Sequence, residues 1–253
     1  MRPDTIVFVL SQYNLSGGRL RRMEAALAAN APVPVRLIRL EGPGAALPDI
    51  LDAVAADGHR SILIQPLGLP FPEGLVTWLP GALGNWLAAQ TPDRFTLRLG
   101  KDMCDISDIL DRAVTASLEG LPDAITVDAG NTKLGKPGWQ DPPDFTHHLL
   151  VCTGPRCQYR DSASLLIELK DTIAAAGLSR QCLTTRTGCM FPCNQGPMVA
   201  VYPRGEWYRL DTRADVQRFV FSVLRDGQSL PDLLIHTARA VRAAEPILEP
   251  ASC

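Results

Sequence analysis

HLLVCTGPRC at residues 148–157 and GCMFPCNQGPMVAVY at residues 188–202 are the two stretches from which the fold of this chain is predicted. Each places two cysteines in a Gly/Pro loop beside an apolar run typical of a β-strand. The pairs are Cys152-x4-Cys157 and Cys189-x3-Cys193, and a predicted helix separates them. Because loops at adjacent strand ends can meet, we expect the four thiolates to converge, as an iron–sulfur cluster requires.

The spacing of these cysteines distinguishes between the candidate sites. It matches neither the plant-type nor the bacterial ferredoxin pattern, and it differs from the paired C-x2-C motifs of zinc ribbons. Structural zinc on four thiolates stays an alternative, as do four unligated buried thiols. A redox dithiol is disfavoured because the sequence contains no C-x-x-C motif.

Glycines flank the cysteine pairs. Gly154, Gly188 and Gly196 are expected to let backbone N–H groups approach the sulfurs, and such hydrogen bonds tune a reduction potential. The three other cysteines are not predicted to be ligands: Cys104, Cys182 and Cys253.

The second half of the chain resembles the thioredoxin-like 2Fe-2S ferredoxins, a family that includes the small iron–sulfur subunit of respiratory complex I. The resemblance spans residues 147–226 and rests on both cysteine loops, GPMVAVY at 196–202 and GEWY at 205–208. It implies a thioredoxin-like α/β fold and transfer of one electron at a time to a redox partner protein. It also implies the ligands of a 2Fe-2S cluster: Cys152, Cys157, Cys189 and Cys193.

The first half alternates strand and helix patterns. Apolar runs predict strands at 6–10, 33–40, 61–65 and 95–99. Helical periodicity predicts helices at 20–29, 47–56 and 75–89, and another that begins at a capping Asp105. This alternation predicts an α/β domain with a mostly parallel sheet.

Residues 4–119 resemble the class II tetrapyrrole chelatases of the sirohydrochlorin type. That family places a histidine after the first strand and another after the third, where this chain has Ser11 and Leu75. Metal insertion needs a base that binds the metal and accepts protons, and neither side chain can replace imidazole in that role. The resemblance leaves a crevice at the strand ends as a tetrapyrrole or metal site, with four candidate residues: Ser11, Gln12, Glu41 and Glu73.

Residues 120–146 are dense in Gly, Pro, Asp and Asn and are predicted to be a linker, with a short edge strand at 125–127. The predicted organisation is a half-size chelatase-like domain at 1–119, this linker, a ferredoxin domain at 147–226 and a helical tail at 227–253. The tail helix is predicted at 233–244.

Composition excludes several classes of protein. The chain has 253 residues, and its 25 Lys+Arg against 27 Asp+Glu give a net charge of -2, unlike the basic surface of a nucleic-acid binder. No apolar run approaches the roughly 18 residues that cross a bilayer, and the start lacks signal-peptide features, so a cytoplasmic protein is expected.

The sequence therefore favours an electron carrier over an enzyme. In the leading hypothesis, a 2Fe-2S cluster moves electrons and the chelatase-like domain serves as a docking or tetrapyrrole-binding module in cobalamin or tetrapyrrole metabolism. The alternative is a cobalt or iron chelatase acting on a sirohydrochlorin-type tetrapyrrole, with the cluster in a redox role. A third hypothesis is a regulatory fusion whose cluster senses oxygen or iron.

Overall fold

The computed structural model describes residues 2–12, 15–106, 108–124, 138 and 140–238, and these divide into two compact units. The first unit comprises the described residues within Met1–Pro143, Cys152–Ser164 and Arg186–Pro197. The second comprises those within Asp144–Val151, Leu165–Thr185 and Met198–Cys253. Both cysteine loops belong to the first unit. The predicted edge strand at 125–127 lies outside the described residues.

A four-stranded parallel sheet forms the centre of the first unit, in the order β2-β1-β3-β4. Its strands are β1 (Thr5–Leu10), β2 (Val35–Arg39), β3 (Ser61–Pro66) and β4 (Thr96–Leu99). The helices between and after them are α1 (Gly17–Asn30), α2 (Leu47–Ala56), α3 (Glu73–Ala88) and α4 (Ile109–Glu119). The prediction of a parallel α/β arrangement is confirmed.

One face of this sheet carries the core. Because successive strand residues point to opposite faces, Val7 and Val9 of β1 lie on one side, and both have no exposed surface. They pack in one cluster with Leu51 of α2 and with Leu79 and Trp86 of α3. The helix α1 covers less surface, since none of its residues is buried.

The prediction for α4 was wrong in two respects. The helix begins at Ile109 instead of at Asp105. Asp108 has a left-handed backbone with φ of 71°, which a right-handed helix cannot include, so the helix starts after it. Its apolar side is also exposed: Leu110, Val114 and Leu118 are 52%, 62% and 67% accessible. Periodicity predicts which residues share a helix face but not whether that face is covered.

The second unit is built on a five-stranded sheet in the order β6-β5-β7-β8-β9. Its strands are β5 (His147–Cys152), β6 (Cys182–Thr187), β7 (Met198–Tyr202), β8 (Glu206–Arg209) and β9 (Leu234–Thr237). The pairs β5/β7, β7/β8 and β8/β9 are antiparallel. Leu149, Tyr208 and Phe219 meet in its core.

Helix α6 (Ser162–Ala175) follows the first cysteine loop in the sequence, and α7 (Arg213–Arg218) follows β8. The second continues as a π-helical turn through Phe219–Arg225. Within the described ranges, none of the helices has the length and apolar character needed to cross a membrane.

The predicted tail helix is corrected by β9. Leu234–Thr237 is a strand that pairs with β8, whereas the pattern predicted a helix from 233 to 244. An edge strand leaves backbone N–H and C=O groups unpaired, and hydrogen bonding to β8 satisfies them, which outweighs a local helical preference. Residues 239–244 lie outside the described residues.

Glu206 in β8 has a largely buried carboxylate that is bound by three donors. It accepts hydrogen bonds from Arg204 Nε at 2.8 Å, Tyr208 Oη at 2.6 Å and Ser229 Oγ at 2.7 Å. Burial by itself would raise the pKa of Glu206, but these bonds outweigh it and lower the pKa below its usual value.

Replacing Glu206 by Gln is expected to lower the free energy of unfolding by about 1–2 kcal/mol near pH 7. Because the folded pKa lies below the unfolded one, Glu206 stabilises the fold above the unfolded pKa, and this contribution disappears as the pH falls through the folded pKa. The difference between parent and Glu206→Gln should therefore shrink below about pH 4. Urea unfolding across this pH range measures it, and a pH-independent difference would contradict a role for the charge.

Candidate metal centre

The four candidate cysteines lie at the end of strand β5 and in the segments that follow β5 and β6. Cys152 is the last residue of β5, and Cys157 lies in α5 (Pro155–Gln158), a single turn that Pro155 begins. Cys189 comes two residues after β6, and Cys193 opens a 3-10 turn. A backbone hydrogen bond of 3.0 Å from Thr153 N to Thr187 O joins the loops that follow these two strands.

The four thiols form two pairs. The Cys152 and Cys157 thiols interact with each other, and Cys152 Sγ also lies 3.4 Å from Gly188 O. The Sγ atoms of Cys189 and Cys193 lie 3.1 Å apart. The charges of Cys189 and Cys193 act on Cys157, so the two pairs are close enough to interact electrostatically. That all four thiols bind one cluster stays a prediction.

Burial differs sharply between the pairs. Cys152 and Cys157 each have 1% of their surface accessible, whereas Cys193 is half-buried and Cys189 is exposed. Cys152 and Cys157 therefore form an inner pair, and Cys189 and Cys193 form a pair that faces solvent.

Hydrogen bonds favour the ionised form of Cys152. The interaction with the Cys157 thiol and the backbone N–H groups of Gly154 and Met190 lower the pKa of Cys152 despite its burial. The same interaction, with burial, raises the pKa of Cys157. Burial and the contact with Cys189 raise the pKa of Cys193 to about 11. Thiolates are the ligand form, so these N–H donors stabilise the state that binds metal.

Two glycines allow the cysteine loops to approach each other. A Cβ at Gly154 would lie 2.9 Å from the backbone N and Cα of Cys189, closer than atoms can approach. A Cβ at Gly196 would overlap Cys157 Sγ. A Cβ at Gly188 would meet nothing within 4 Å. The expectation that glycine admits N–H donors holds for Gly154, whereas Gly196 provides space beside a sulfur.

This donor set fits a 2Fe-2S cluster. Such a cluster takes four cysteine thiolates, two on each iron, and the chain presents two pairs of thiols beside N–H donors and a glycine-lined space. Across the described part of the chain, no three or more His, Cys, Asp or Glu side chains are grouped as they would be around a single metal ion.

Similarity to characterised proteins identifies the family. A ferredoxin of the 2Fe-2S type from Clostridium pasteurianum is 33% identical to this chain over 97 residues, which cover 35% of the chain and 95% of that protein. This chain belongs to the 2Fe-2S ferredoxin family. A second ferredoxin of this type, from Aquifex aeolicus, is 32% identical over 97 residues and 87% of its own length. The cofactor implied by this membership is a 2Fe-2S cluster.

A solved structure of a thioredoxin-like 2Fe-2S ferredoxin from Aquifex aeolicus matches 38% of this chain and 96% of that chain, with 29% identity and a TM-score of 0.36. No protein-family model matches the sequence.

The predicted crevice residues of this ferredoxin are only partly brought together. Ser11 Oγ donates a hydrogen bond to Glu41, which follows β2. Gln12 is exposed, and Glu73 is exposed at the start of α3. No hydrogen bond or ion pair joins Gln12 or Glu73 to Ser11 or Glu41 within the described ranges.

The loop after β2 is hydrogen-bonded to the cysteine loop that carries the inner pair, Cys152 and Cys157. Gly42 N donates to Thr153 O at 3.1 Å, and the buried Gln158 donates through Nε2 to Gly44 O at 3.0 Å. The charge of Glu41 is also close enough to oppose ionisation of Cys152. The structure thus places Glu41 beside the cysteine centre, a position that the sequence did not predict.

Sequence reasoning also missed three side chains in and directly after the first cysteine loop. Arg160 Nη1 donates to Cys193 O at 3.1 Å and to Gly196 O at 2.8 Å, which ties the two loops together. Tyr159 Oη donates to Ala82 O at 3.0 Å, and Arg156 lies over the ring of Trp78. Arg156 and Arg160 are four residues apart, on either side of Cys157. This spacing is the sequence pattern from which two neighbouring basic side chains could have been predicted.

The other cysteines lie apart from this centre. Cys182 is half-buried against the core of the second unit, in agreement with a packing role. Cys104 follows β4, where its backbone N donates to Asp102 at 2.8 Å. Cys253 lies outside the described residues.

Proposed function

We propose that this ferredoxin carries single electrons through a 2Fe-2S cluster bound by Cys152, Cys157, Cys189 and Cys193. The observation that carries the proposal is the pairing of these four thiols in two loops that interlock through Gly154 and Gly196. The cluster supplies the reversible one-electron couple, and the protein supplies ligands, hydrogen bonds and access.

The surrounding residues have separate tasks in this proposal. Backbone N–H groups of Gly154 and Met190 hold negative charge on Cys152, which raises the reduction potential. Glu41 acts in the opposite direction because its negative charge disfavours an added electron. Arg160 fixes the loop of the exposed pair by binding its carbonyl groups.

Spectroscopy and metal analysis test the presence of the cluster. Protein purified without oxygen should show visible absorption that bleaches with dithionite, a rhombic S = 1/2 EPR signal after reduction, and about two irons and two sulfides per chain. These values follow from two ferric ions, of which one is reduced. A colourless protein with one zinc per chain would replace the electron-transfer proposal with a structural metal site.

The parallel-sheet part of the first unit, residues 2–124, is proposed to be a docking module, with tetrapyrrole binding in cobalamin or tetrapyrrole metabolism as its narrower form. Its support is the contact of the loop after β2 with the inner cysteine loop. Chelation is disfavoured at the position that corresponds to the second family histidine, because Leu75 is 6% accessible and packs in the core. A core position without a nitrogen donor cannot bind a metal substrate.

Cobalt insertion separates docking from chelation. The reduced holoprotein is expected to insert no Co²⁺ into sirohydrochlorin above the uncatalysed rate, because the crevice lacks an imidazole base. The assay follows the absorbance of the tetrapyrrole. Insertion that disappears in Glu41→Ala would overturn the docking proposal in favour of a chelatase.

Partners and location follow from the same proposal. The partner is a redox protein, nucleic acid is disfavoured by the net charge of -2, and the cytoplasm is the proposed location because reduced thiols persist there.

A further inference from the structure

The exposed cysteine pair marks the side from which electrons would leave. Cys189 is exposed, whereas Cys152 and Cys157 are 1% accessible, so the path to solvent is shortest beside Cys189. Phe191 lies between the exposed ligands in the sequence and is 76% accessible. Its φ of 48° is rare for an aromatic residue, and such strain concentrates at functional sites.

A cavity of about 280 Å³ adjoins this side of the centre. Its main side chains are Trp78, Asn85, Arg156, Tyr159, Arg160 and Cys193. Two lining residues are cationic and none is acidic, although the chain as a whole has a net charge of -2. The positive charge is therefore local to the surface beside Cys193.

Aromatic contacts hold Arg156 in place. Its guanidinium carbon lies 5.6 Å from the ring centroid of Trp78, and the Trp78 and Tyr159 rings meet edge-on at 6.0 Å. Asn85 Nδ2 donates to Tyr159 Oη at 3.2 Å. No carboxylate of the described residues pairs with Arg156, so the guanidinium is fixed in position while its hydrogen-bonding edge stays open to a ligand.

Arg160 supplies a second fixed charge. Its Nη1 binds the carbonyl groups of Cys193 and Gly196, and those contacts neutralise no charge. The neighbouring Asp161 accepts a hydrogen bond from Ser164 Oγ at 2.8 Å and does not line the cavity. Two preorganised guanidinium groups are suited to carboxylates, which they bind in a planar, bidentate way.

We propose that the surface at this cavity, defined by Arg156 and Arg160, docks an electron-transfer partner that presents carboxylates next to Cys193. The proposal rests on the proposed electron-transfer function and names the chemistry of its partner. Because the chain as a whole has a slight net negative charge, recognition of carboxylates would depend on a local cationic site such as this one. Phe191 would provide the apolar contact at the edge of a small, transient interface.

Electron transfer to two small oxidants of opposite charge tests this surface. Stopped-flow kinetics measures oxidation of the dithionite-reduced holoprotein by ferricyanide and by tris(phenanthroline)cobalt(III). Each oxidant accepts one electron from the reduced cluster, giving ferrocyanide or the cobalt(II) complex. The ratio of the two rate constants reports local charge and cancels changes that affect both reactions alike, such as a shift of reduction potential.

Arg156→Gln should lower the ferricyanide-to-cobalt rate ratio by about threefold to tenfold at low ionic strength, and the effect should fade in 0.5 M salt, where the Debye length is short. Arg156→Lys keeps the charge and should keep the ratio. Arg36→Gln removes an equal charge at a site paired with Asp57 and should change the ratio much less. The iron content and EPR signal of each variant confirm an intact cluster.

Other results overturn the docking proposal. A ratio in Arg156→Gln no lower than in Arg36→Gln would show that Arg156 does not act on the approaching partner. Should Arg156→Gln lose its cluster, a second variant replaces it. Asn194 also lines the cavity, so Asn194→Asp adds negative charge there, and an unchanged ratio in that variant has the same meaning. Saturable inhibition by citrate at constant ionic strength would instead assign the cavity to a small carboxylate. The absence of a cluster in the parent protein would remove the proposed function itself.

Discussion

Cys157→Ala is expected to lose the 2Fe-2S cluster. Cys157 is 1% accessible and lies in the turn that follows Cys152. Alanine removes one of the four proposed thiolate ligands, and water has little access to replace the missing sulfur. Iron and sulfide per chain should fall about tenfold or more, with loss of the visible bands and of the reduced EPR signal.

Cys182→Ala is the matched control for this experiment. Cys182 is half-buried, and it packs against the core of the second unit. Its replacement should leave iron content and EPR signal unchanged and cost about 1 kcal/mol or less of stability. Full iron occupancy and an unchanged spectrum in Cys157→Ala would exclude Cys157 from the ligand set.

Gly196→Ala is expected to have nearly as large an effect, although it changes no ligand. The backbone of Gly196 has φ of -77° and ψ of 166°, which alanine adopts without strain. The new methyl group would occupy the space of Cys157 Sγ, so either the sulfur or the loop has to move. Cluster content should fall about tenfold, as measured by iron and sulfide analysis, because ligand geometry is lost.

Two other glycines make this test specific. Gly154→Ala should also lower cluster content, since its Cβ would strike the backbone of Cys189, which yields less readily than a side chain. Gly188→Ala is the control, because a Cβ there meets nothing within 4 Å. Equal cluster content in Gly188→Ala and Gly196→Ala, with both variants folded by circular dichroism, would refute the role assigned to this close approach.

Local patterns predicted most of the secondary structure. The strands β1, β3 and β7 follow from short apolar runs whose side chains need a sheet to bury them. Glycine at position 205 favours the turn between β7 and β8, because the φ of 67° that this turn has there costs glycine little. The start of α4 and the strand β9 were missed because both depend on partners that no local window contains.

The candidate centre was predicted from residue types and spacing, but its asymmetry was not. The motif identified four thiols as one group, yet it could not predict that Cys157 would be buried and Cys189 exposed. Burial depends on the segments that cover a loop, and for the inner pair these include Gly42 and Gly44, more than a hundred residues away in the sequence.

The sequence by itself determined the alternation of strands and helices, the two closely spaced cysteine pairs and the absence of histidine at positions 11 and 75. These are properties of residue identity and short-range spacing. Only the tertiary structure decided that Glu41 lies beside Cys152 and that Trp78 holds Arg156 next to Cys193. The physical reason is that electrostatic and cation–π contacts act through space, between residues that chain folding alone brings together.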